Sequence, residues 1–410
     1  MIRAERHVSP RERAPMGVAI RAVMGLAVLA FVLGCQAPPQ PAPKPAEPAK
    51  PAPAAEKPAA AQPAKPAEKP AAAQPAKPAP QPAAPAKERK KIVVNTAGTS
   101  LLYTSLYYTY YSGLFQEEGF DAELIEPAGA PLAAQAVLSG STFLGMTVLN
   151  AHITAIEKNQ PLVAVAAGVN QNANMLIIGK EWAEKNKLTP QTPLADKIKA
   201  LKGARIAIVG PRSAVDDLAR YLLIVYGGLN PDRDVQLVPL GASPNFPPAL
   251  EKKQIDAFVG ASPASEIAVL RFGAFQAVNL NAGEVPDLRG QLFMVYIVHR
   301  DSLDKRRADV EAALRAVGRA QKAIAEKPDE VKRLIREKKF ANIEPDIFDL
   351  AWKNNLPGFA RSPVIDEAGY KSNFTQLAKA RNEPIQEIPF AKAVDNTVAE
   401  KVAKELGLTR

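Results

Sequence analysis

Residues 91–125 read KIVVNTAGTSLLYTSLYYTYYSGLFQEEGFDAELI and contain the pattern that decides the fold class. Ile92–Val94 is a short apolar run, which is typical of a buried strand. A loop of small residues follows, then a segment with helical periodicity that ends at Gly113 and Gly119, and Phe120–Ile125 alternates as a second strand. A strand, a helix and a second strand in succession predict an α/β fold.

The helical segment contains five of the nine tyrosines of the chain. Spacings of three and four residues define one helical face, which carries Tyr103, Tyr107, Tyr110 or Tyr111, and Leu114. Thr99 or Ser100 can cap the start of this helix. We therefore expect the tyrosines to pack a helix against a sheet.

The net charge of the chain is +10, but the charge is unevenly distributed. Residues 1–91 contain fifteen Lys or Arg and six Glu, so their net charge is +9 of the total +10. Residues 92–410 are therefore almost neutral. Because nucleic-acid binding depends on concentrated positive charge, we expect no nucleic-acid partner and interpret the tyrosines as core residues.

An apolar run of thirteen residues, Ala22–Gly34, follows the basic N-terminal residues. A membrane-spanning helix needs about 20 apolar residues, so this length is typical of a secretory signal peptide. The run leads into Val32-Leu33-Gly34-Cys35, which resembles the lipobox of bacterial lipoproteins, and Cys35 is the single cysteine. We expect residues 1–34 to be a signal peptide and Cys35 to carry a lipid that anchors the protein to a membrane of the cell envelope, on its periplasmic or extracellular face. The alternative is an ordinary cleaved signal followed by an incidental cysteine.

Residues 35–90 consist almost entirely of Pro, Ala, Lys, Glu and Gln, and EKPAAAQPAKPA occurs at 56–67 and again at 68–79. This composition offers too little apolar surface for folding, and its prolines favour extended polyproline II. We expect a disordered tether that holds a folded domain away from the membrane. A spacer of no specific length, or a periplasm-spanning structural protein, is an alternative interpretation.

Short apolar runs alternate with helical stretches through the rest of the chain. These runs lie at 143–148, 162–167, 174–178, 205–209, 235–239 and 256–259. The alternation predicts a mixed, largely parallel sheet architecture.

Four segments of this region carry a family resemblance. They are GLFQEEGFDAEL at 113–124, AVLSGSTFLGM at 136–146, LKGARIAI at 201–208 and ALEKKQIDAF at 249–258. In this order they are similar to the segments G-x-F-x-x-E-G-L-D-V-E, A-L-x-S-G-x-x-D-F-G-x, L-K-G-K-x-I-A-V and A-L-x-x-G-x-I-D-A of the ABC-importer solute-binding proteins of the nitrate, sulfonate, taurine and thiamine-precursor type. The resemblance spans about residues 91–390.

The resemblance implies a periplasmic-binding-protein fold of type 2, with two α/β lobes, a ligand cleft between them and two hinge crossings. We expect lobe 1 at 91–174 with 291–390, lobe 2 at 175–290 and a C-terminal helix at 391–410. The resemblance also implies that a monomer binds a small solute and delivers it to an ABC permease in the cytoplasmic membrane. A ligand-binding component of a sensor system is the alternative.

The expected ligand contacts are loops that follow strands, because ligands of open α/β sheets bind beyond the carboxyl ends of strands. A helix start offers unpaired N–H groups to an anion, and the guanidinium of Arg212 suits a carboxylate or sulfonate. We therefore expect an anionic organic solute. The predicted ligand-binding residues are Gly98, Thr99, Ser100, Thr147, Asn150, Asn172, Arg212, Ser213, Ala214 and Ser262.

Several of these residues have an alternative interpretation. Arg212 can be a solvated loop charge. Ser213 can cap the helix that follows it, and Thr147 and Asn150 can cap another helix. Asn172 lies near an expected crossing, where its amide can bind a ligand or satisfy irregular backbone. At 260–263, where the family often has an aromatic residue near the ligand, this chain has Gly-Ala-Ser-Pro, so that aromatic wall is absent.

Catalytic motifs are absent from the sequence, which contains no G-x-S-x-G, Walker or Rossmann fingerprint. Its three histidines, His7, His152 and His299, are not gathered with cysteines or paired acids at metal-ligand spacing. Fungal pyrimidine synthases of the same fold require a cysteine-rich motif, which a chain with one cysteine lacks. We expect a binding protein with no metal, no cofactor and no enzymatic activity.

Replacement of Cys35 by Ser should release the protein from membranes, because a signal peptide of thirteen apolar residues cannot hold the chain once it is cleaved. Cell fractionation of the parent and the Cys35→Ser variant measures this. Recovery of the variant wholly in the membrane fraction would exclude lipidation as the anchor.

Overall fold

The computed structural model describes residues 88–127 and 129–408. The signal peptide expected at 1–34, the lipidation site Cys35 and nearly all of the tether expected at 35–90 lie outside the described residues.

The described residues form ten strands and sixteen α-helices. The strands are β1 Lys90–Asn95, β2 Phe120–Ile125, β3 Leu144–Val148, β4 Leu162–Val169, β5 Met175–Ile178, β6 Arg205–Ile208, β7 Gln236–Pro239, β8 Ala257–Gly260, β9 Phe275–Asn279 and β10 Met294–His299. The α-helices are α1 Thr104–Tyr111, α2 Leu114–Glu117, α3 Ala130–Leu138, α4 Leu149–Glu157, α5 Lys180–Lys185, α6 Leu194–Lys199, α7 Ala214–Val225, α8 Phe246–Glu251, α9 Ala264–Phe272, α10 Arg300–Lys305, α11 Arg307–Glu326, α12 Pro328–Lys339, α13 Pro345–Asn355, α14 Glu367–Arg381, α15 Phe390–Ala393 and α16 Thr397–Leu406. Short 3-10 helices lie at Leu101–Tyr103, Ser243–Asn245, Leu280–Ala282, Pro286–Leu288 and Leu356–Gly358. Among these described helices, none combines the length and the apolar character that crossing a membrane requires.

The strands make two five-stranded sheets with matching patterns, ordered β2-β1-β3-β10-β4 and β7-β6-β8-β5-β9. We call the first sheet with its helices the first lobe, and the second sheet with its helices the second lobe. β10 runs antiparallel to β3 and β4, and β5 runs antiparallel to β8 and β9, whereas the other pairs are parallel. The predicted two-lobed, mixed α/β architecture is confirmed, and β9 and β10 are strands that the apolar runs did not identify.

The tyrosine-rich segment forms a buried helix, as its periodicity predicted. Tyr103, Tyr107 and Tyr108 are buried in the first lobe. α1 lies between the first sheet and the helices α11 and α12, and the hydroxyls of Ser105 and Tyr296 of β10 are 2.6 Å apart. The tyrosines therefore pack against two helices as well as against the sheet that was expected.

Amide side chains join the two crossings between the sheets. The first crossing is 170–174, between β4 and β5, and the second is 280–293, between β9 and β10. Asn172 Nδ2 donates to Gln291 Oε1 at 3.0 Å, and Gln171 donates to one backbone group of the second crossing and accepts from another. Because buried amides that bond each other are costly to separate, these contacts hold the two crossings side by side.

Helix α14 contributes to both lobes, which corrects the expectation that residues 291–390 lie wholly in lobe 1. Tyr370 packs in the core of the first lobe, whereas Ala380 packs in the core of the second lobe beside α7. Arg381, the last residue of α14, donates to both carboxylate oxygens of Asp217 in α7, at 2.9 and 2.8 Å. α14 is thus a further physical link between the lobes.

The C-terminal segment, expected as one helix at 391–410, is divided into two. α15 ends at Ala393, Val394 forms a bridge with Ala164 of β4, and α16 begins at Thr397 and packs against α11. The segment belongs to the first lobe, because it covers one edge of that sheet.

His152 of α4 is a buried neutral imidazole. Its Nε2 lies 2.8 Å from the carbonyl oxygen of Ala393, and its Nδ1 has no hydrogen-bond partner among the described residues. Burial lowers the pKa of His152 to about 4. In the unfolded chain the imidazole titrates near its usual pKa of about 6.5, so between the two values the unfolded chain binds more protons and stability falls as pH falls.

Lowering the pH from 7 to 4 should cost up to about 3 kcal/mol of unfolding free energy through His152. His152→Gln, whose amide can still donate to the Ala393 carbonyl, should lose correspondingly less over this interval. Urea unfolding of both proteins at a series of pH values measures the difference. The same pH dependence in both proteins would contradict this assignment.

Loss of the α14–α7 ion pair should destabilise the protein, because Asp217, with a side chain 3% exposed, would be left buried without its counter-charge. Arg381→Ala should lower the unfolding free energy by about 3 kcal/mol. Lys371→Ala is the matched control, since it removes an exposed ion pair with Glu367 from the same helix and should have little effect. Denaturant unfolding compares the two variants, and equal losses would show that burial of the pair is unimportant.

Candidate functional site

A cavity of about 510 Å³ lies between the two lobes. Residues 97–100, which follow β1, form its wall in the first lobe. Residues 242–244 after β7 and 261–264 after β8 form its wall in the second lobe, and the lining is completed by Pro247, Pro248, Ile267 and Phe272. The cavity therefore lies beyond the carboxyl ends of strands from both sheets, which is where α/β folds bind ligands.

The lining of this cavity is uncharged. Of the described residues that line it, none has an ionisable side chain, and four carry hydroxyl groups: Thr99, Ser100, Ser243 and Ser262. The other lining residues are Ala, Gly, Pro, Ile and Phe. Nor do residues 88–127 and 129–408 contain a group of three or more His, Cys, Asp or Glu that could hold a metal ion. The cavity can bury apolar surface and form hydrogen bonds through hydroxyl and backbone groups.

Small residues shape the wall in the first lobe. Gly98 has a φ of +106°, a conformation that favours glycine. Thr99 Oγ1 donates to Glu126 Oε2 at 3.2 Å, and Ser100 Oγ accepts from the N–H of Leu102 at 3.3 Å. Ser100 therefore caps the short helix that follows, one of the two caps predicted from the sequence.

Glu126 lies behind this wall and has three partners. The Tyr107 hydroxyl donates to Glu126 Oε1 at 2.5 Å, and the Lys339 ammonium pairs with Oε2, which also accepts from Thr99. Burial, together with the hydrogen bond to Glu126, raises the pKa of Tyr107 above its usual value. The negative charge of Glu126 is thus balanced by Lys339 outside the cavity lining.

Ser262 connects the wall in the second lobe to the first lobe. Its Oγ donates to Glu266 Oε1 at 2.9 Å and accepts from Asn355 Nδ2 at 2.6 Å. Asn354 Nδ2 donates to the same Glu266 oxygen at 2.8 Å. Because Asn354 and Asn355 belong to α13 of the first lobe, these bonds tie the two lobes together at the cavity.

Glu266 is fully buried, and its Oε2 has no hydrogen-bond partner among the described residues. Burial raises the pKa of the Glu266 carboxyl above its usual value. Sequence inspection did not identify Glu266, Asn354 or Asn355, because no local pattern brings α9 and α13 together.

Arg212, predicted to hold an anionic solute, does not line this cavity. Its Nη2 donates to Glu383 Oε1 at 2.9 Å, and its backbone N–H donates to Asp216 Oδ2 at 2.7 Å. Arg212 lines a separate cleft between α7 and the end of α14. The guanidinium of Arg212 is thus paired with a carboxylate of this chain, away from the cavity, and its contact with a ligand stays a prediction.

Ser213 and Ala214 are also outside the cavity lining. Ser213 Oγ accepts from the N–H of Asp216 at 3.2 Å, and Ala214 is the first residue of α7. Of the two roles that the sequence left open for Ser213, the structure shows the helix cap.

Thr147, Asn150 and Asn172 are likewise not among the lining residues. Thr147 is fully buried within β3, and its hydroxyl has no partner among the described residues. Asn150 lies in the first turn of α4, which begins without a side-chain cap, and Asn172 is bonded to Gln291 in the crossing. Thr147 and Asn172 are thus held by packing in the lobe and by hydrogen bonds in the hinge, and the contact of all three residues with a ligand stays a prediction.

Four predicted residues do line the cavity: Gly98, Thr99, Ser100 and Ser262. Their contact with a ligand remains a prediction. The loop at 242–244 and the prolines at 247 and 248 were missed, although GASPNFPP at 241–248 directly follows the apolar run at 235–239 and is typical of a loop after a strand.

Comparison with known proteins identifies one matching family and many solved structures with a similar fold. The model of the NMT1-like family matches residues 99–336. No curated protein has a matching sequence.

Solved structures with this fold include three of direct interest. A protein from Bordetella bronchiseptica RB50 is 21% identical with a TM-score of 0.61, and the match covers 78% of this chain and 99% of that protein. The ligand-binding component of an ABC-type import system from Staphylococcus aureus, solved with zinc bound, is 13% identical with a TM-score of 0.60. That match covers 77% of this chain and 99% of that protein. The periplasmic aliphatic sulphonate-binding protein SsuA from Escherichia coli is 16% identical with a TM-score of 0.57. Here the match covers 75% of this chain and 92% of SsuA.

These similarities confirm the periplasmic-binding-protein fold that the sequence predicted. The match to the family model also establishes the family of the chain, because it spans more than half of the 410 residues. The chain belongs to the NMT1-like family.

Proposed function

We propose that this protein is an extracytoplasmic solute-binding protein that captures a small organic solute between its two lobes and delivers it to an ABC importer. The observation that carries this proposal is the cavity at the carboxyl ends of both sheets, with walls from both lobes. The ABC import component from Staphylococcus aureus and SsuA, which share the fold, support the same role.

The size of the cavity suits this role. Ligand sites for small organic molecules occupy roughly 300–1,000 Å³, and this cavity has about 510 Å³. A solute in it would contact residues 97–100 of the first lobe and 242–244 or 261–264 of the second. Because it touches both lobes, the solute would stabilise the arrangement in which they meet.

Release of the solute requires the lobes to separate at the cavity. Separation would break the hydrogen bond from Asn355 to Ser262, while the crossings at 170–174 and 280–293 remain as the hinge. The importer would accept the solute at this step. No catalytic step is assigned, because the lining offers no acid–base pair.

The solute was predicted to be an anion because of Arg212 and the start of α7. Arg212 is paired with Glu383, and Ser213 accepts the N–H of Asp216. We therefore confine the proposal to a small organic solute held by hydroxyl groups, backbone groups and apolar surface.

The proposed location is the periplasmic or extracellular face of the cell envelope, where the protein is a monomer anchored to a membrane by lipid on Cys35. Support comes from the apolar run Ala22–Gly34 before Cys35 and from the proline-rich composition of residues 35–90, which would act as the tether. The periplasmic location given for SsuA is in line with this.

Filling the cavity should abolish solute binding. A thermal-shift screen against organic solutes should find compounds that raise the melting temperature, since a ligand at 100 times its Kd stabilises the folded state by about 2.7 kcal/mol. Ala242→Trp places an indole in the cavity wall and should remove this shift. Ala325→Trp is the matched control, because Ala325 is likewise exposed but lies near the end of α11, outside the cavity lining.

Isothermal titration of the parent and both variants with the compounds found in the screen completes this test. Unchanged affinity in Ala242→Trp would place the solute elsewhere and would overturn the proposed function of the cavity.

A further inference from the structure

Two hydroxyl groups of the cavity wall have their protons directed away from the solute. Thr99 donates to Glu126 at 3.2 Å, and Ser262 donates to Glu266 at 2.9 Å. A hydroxyl has one proton to donate and two lone pairs that accept. Each proton is already donated to a carboxyl oxygen, and one lone pair of Ser262 already accepts from Asn355. Thr99 and Ser262 can therefore only accept hydrogen bonds from a solute, through the lone pairs that remain.

The ionisable groups bonded to these hydroxyls are both acidic. Glu266 is fully buried behind Ser262, and Glu126 lies behind Thr99. The cation nearest to the wall in this network, Lys339, is paired with Glu126 and does not line the cavity. At Thr99 and Ser262 the wall therefore presents hydrogen-bond acceptors backed by carboxyl groups, and no lining residue supplies a counter-charge for an anion.

An anionic solute would lose its hydration in this cavity without gaining a cationic partner. Burial of a charge without a counter-charge is unfavourable, whereas an uncharged apolar solute gains from burial against the Ala, Pro, Ile and Phe of the lining. A cationic solute also lacks a partner in the wall, since Glu126 is balanced by Lys339.

We infer, on the basis of the proposed function, that the solute of this cavity is an uncharged, largely apolar organic molecule that donates hydrogen bonds from N–H or O–H groups to Thr99 and Ser262. This solute class differs from the anion that the sequence predicted, and it follows from the direction of the hydroxyl bonds and from the uncharged lining.

Matched pairs of probes test the inference on the full-length protein. The pairs are benzamide and benzoate, benzenesulfonamide and benzenesulfonate, and hexanamide and hexanoate, whose members are similar in size and differ in charge at neutral pH. Isothermal titration should show tighter binding of the uncharged member by about tenfold or more in at least one pair. N,N-dimethylbenzamide, which has no N–H donor, should bind more weakly than benzamide.

A change of charge in the wall supplies a second measurement. Ala242→Lys places a cation beside the cavity and should shift the preference towards benzenesulfonate, whereas Ala325→Lys on α11 should keep the preference of the parent. A preference that Ala242→Lys leaves unchanged would show that wall charge does not select the solute and would overturn the inference.

Equal or tighter binding of the anions by the parent would also overturn the inference. The proposed function would survive that result if Ala242→Trp abolished the binding, because the cavity would still be the solute site. If the protein bound none of the uncharged probes, the inference would be overturned as well, since a cavity that binds uncharged, largely apolar solutes should bind at least one of them. Persistence of binding in Ala242→Trp is the separate result that overturns the proposed function.

Discussion

The hydrogen bond between Asn172 and Gln291 joins the two places where the chain passes from one lobe to the other. Gln376 of α14 accepts from the side chain of Gln291 and extends this amide network into a helix that contacts both lobes. All three side chains are buried, so their polar groups depend on one another for hydrogen bonds. This mutual dependence fixes the position of one sheet relative to the other. The cavity exists because the carboxyl ends of the strands of both sheets face it.

Charged side chains join the lobes outside the cavity. Arg381 of α14 binds Asp217 of α7, and Arg271 of α9 binds Glu344 and Asp346 at the start of α13. Hydrogen bonding to the Arg271 guanidinium lowers the pKa of Asp346 to about 2. Ion pairs thus hold the two lobes together at positions where water reaches at least one partner of each pair. The cavity between the lobes keeps an uncharged lining.

The cavity wall itself takes part in the contact between lobes. Ser262 lies in the wall, and the amide of Asn355 reaches it from the other lobe. A solute that donates to Ser262, or that displaces Asn355 from it, would therefore act on the arrangement of the lobes directly. This coupling is the feature expected of a protein that must hold a solute and later release it.

The sequence by itself determined the local elements and the family. The strand–helix–strand order of residues 91–125 follows from periodicity and from glycines that end the helix, signals that act over a few residues. Four short segments indicated the family, and the loop after β1 supplied cavity residues such as Gly98 and Thr99.

Only the tertiary structure decided which polar groups are paired. Ser262 and Asn355 are 93 residues apart, and Arg212 and Glu383 are 171 apart, so no local pattern could place either pair together. Packing of α13 and α14 against the second lobe creates both contacts, and it therefore decides that Arg212 lies outside the cavity and that the proton of Ser262 points away from a solute.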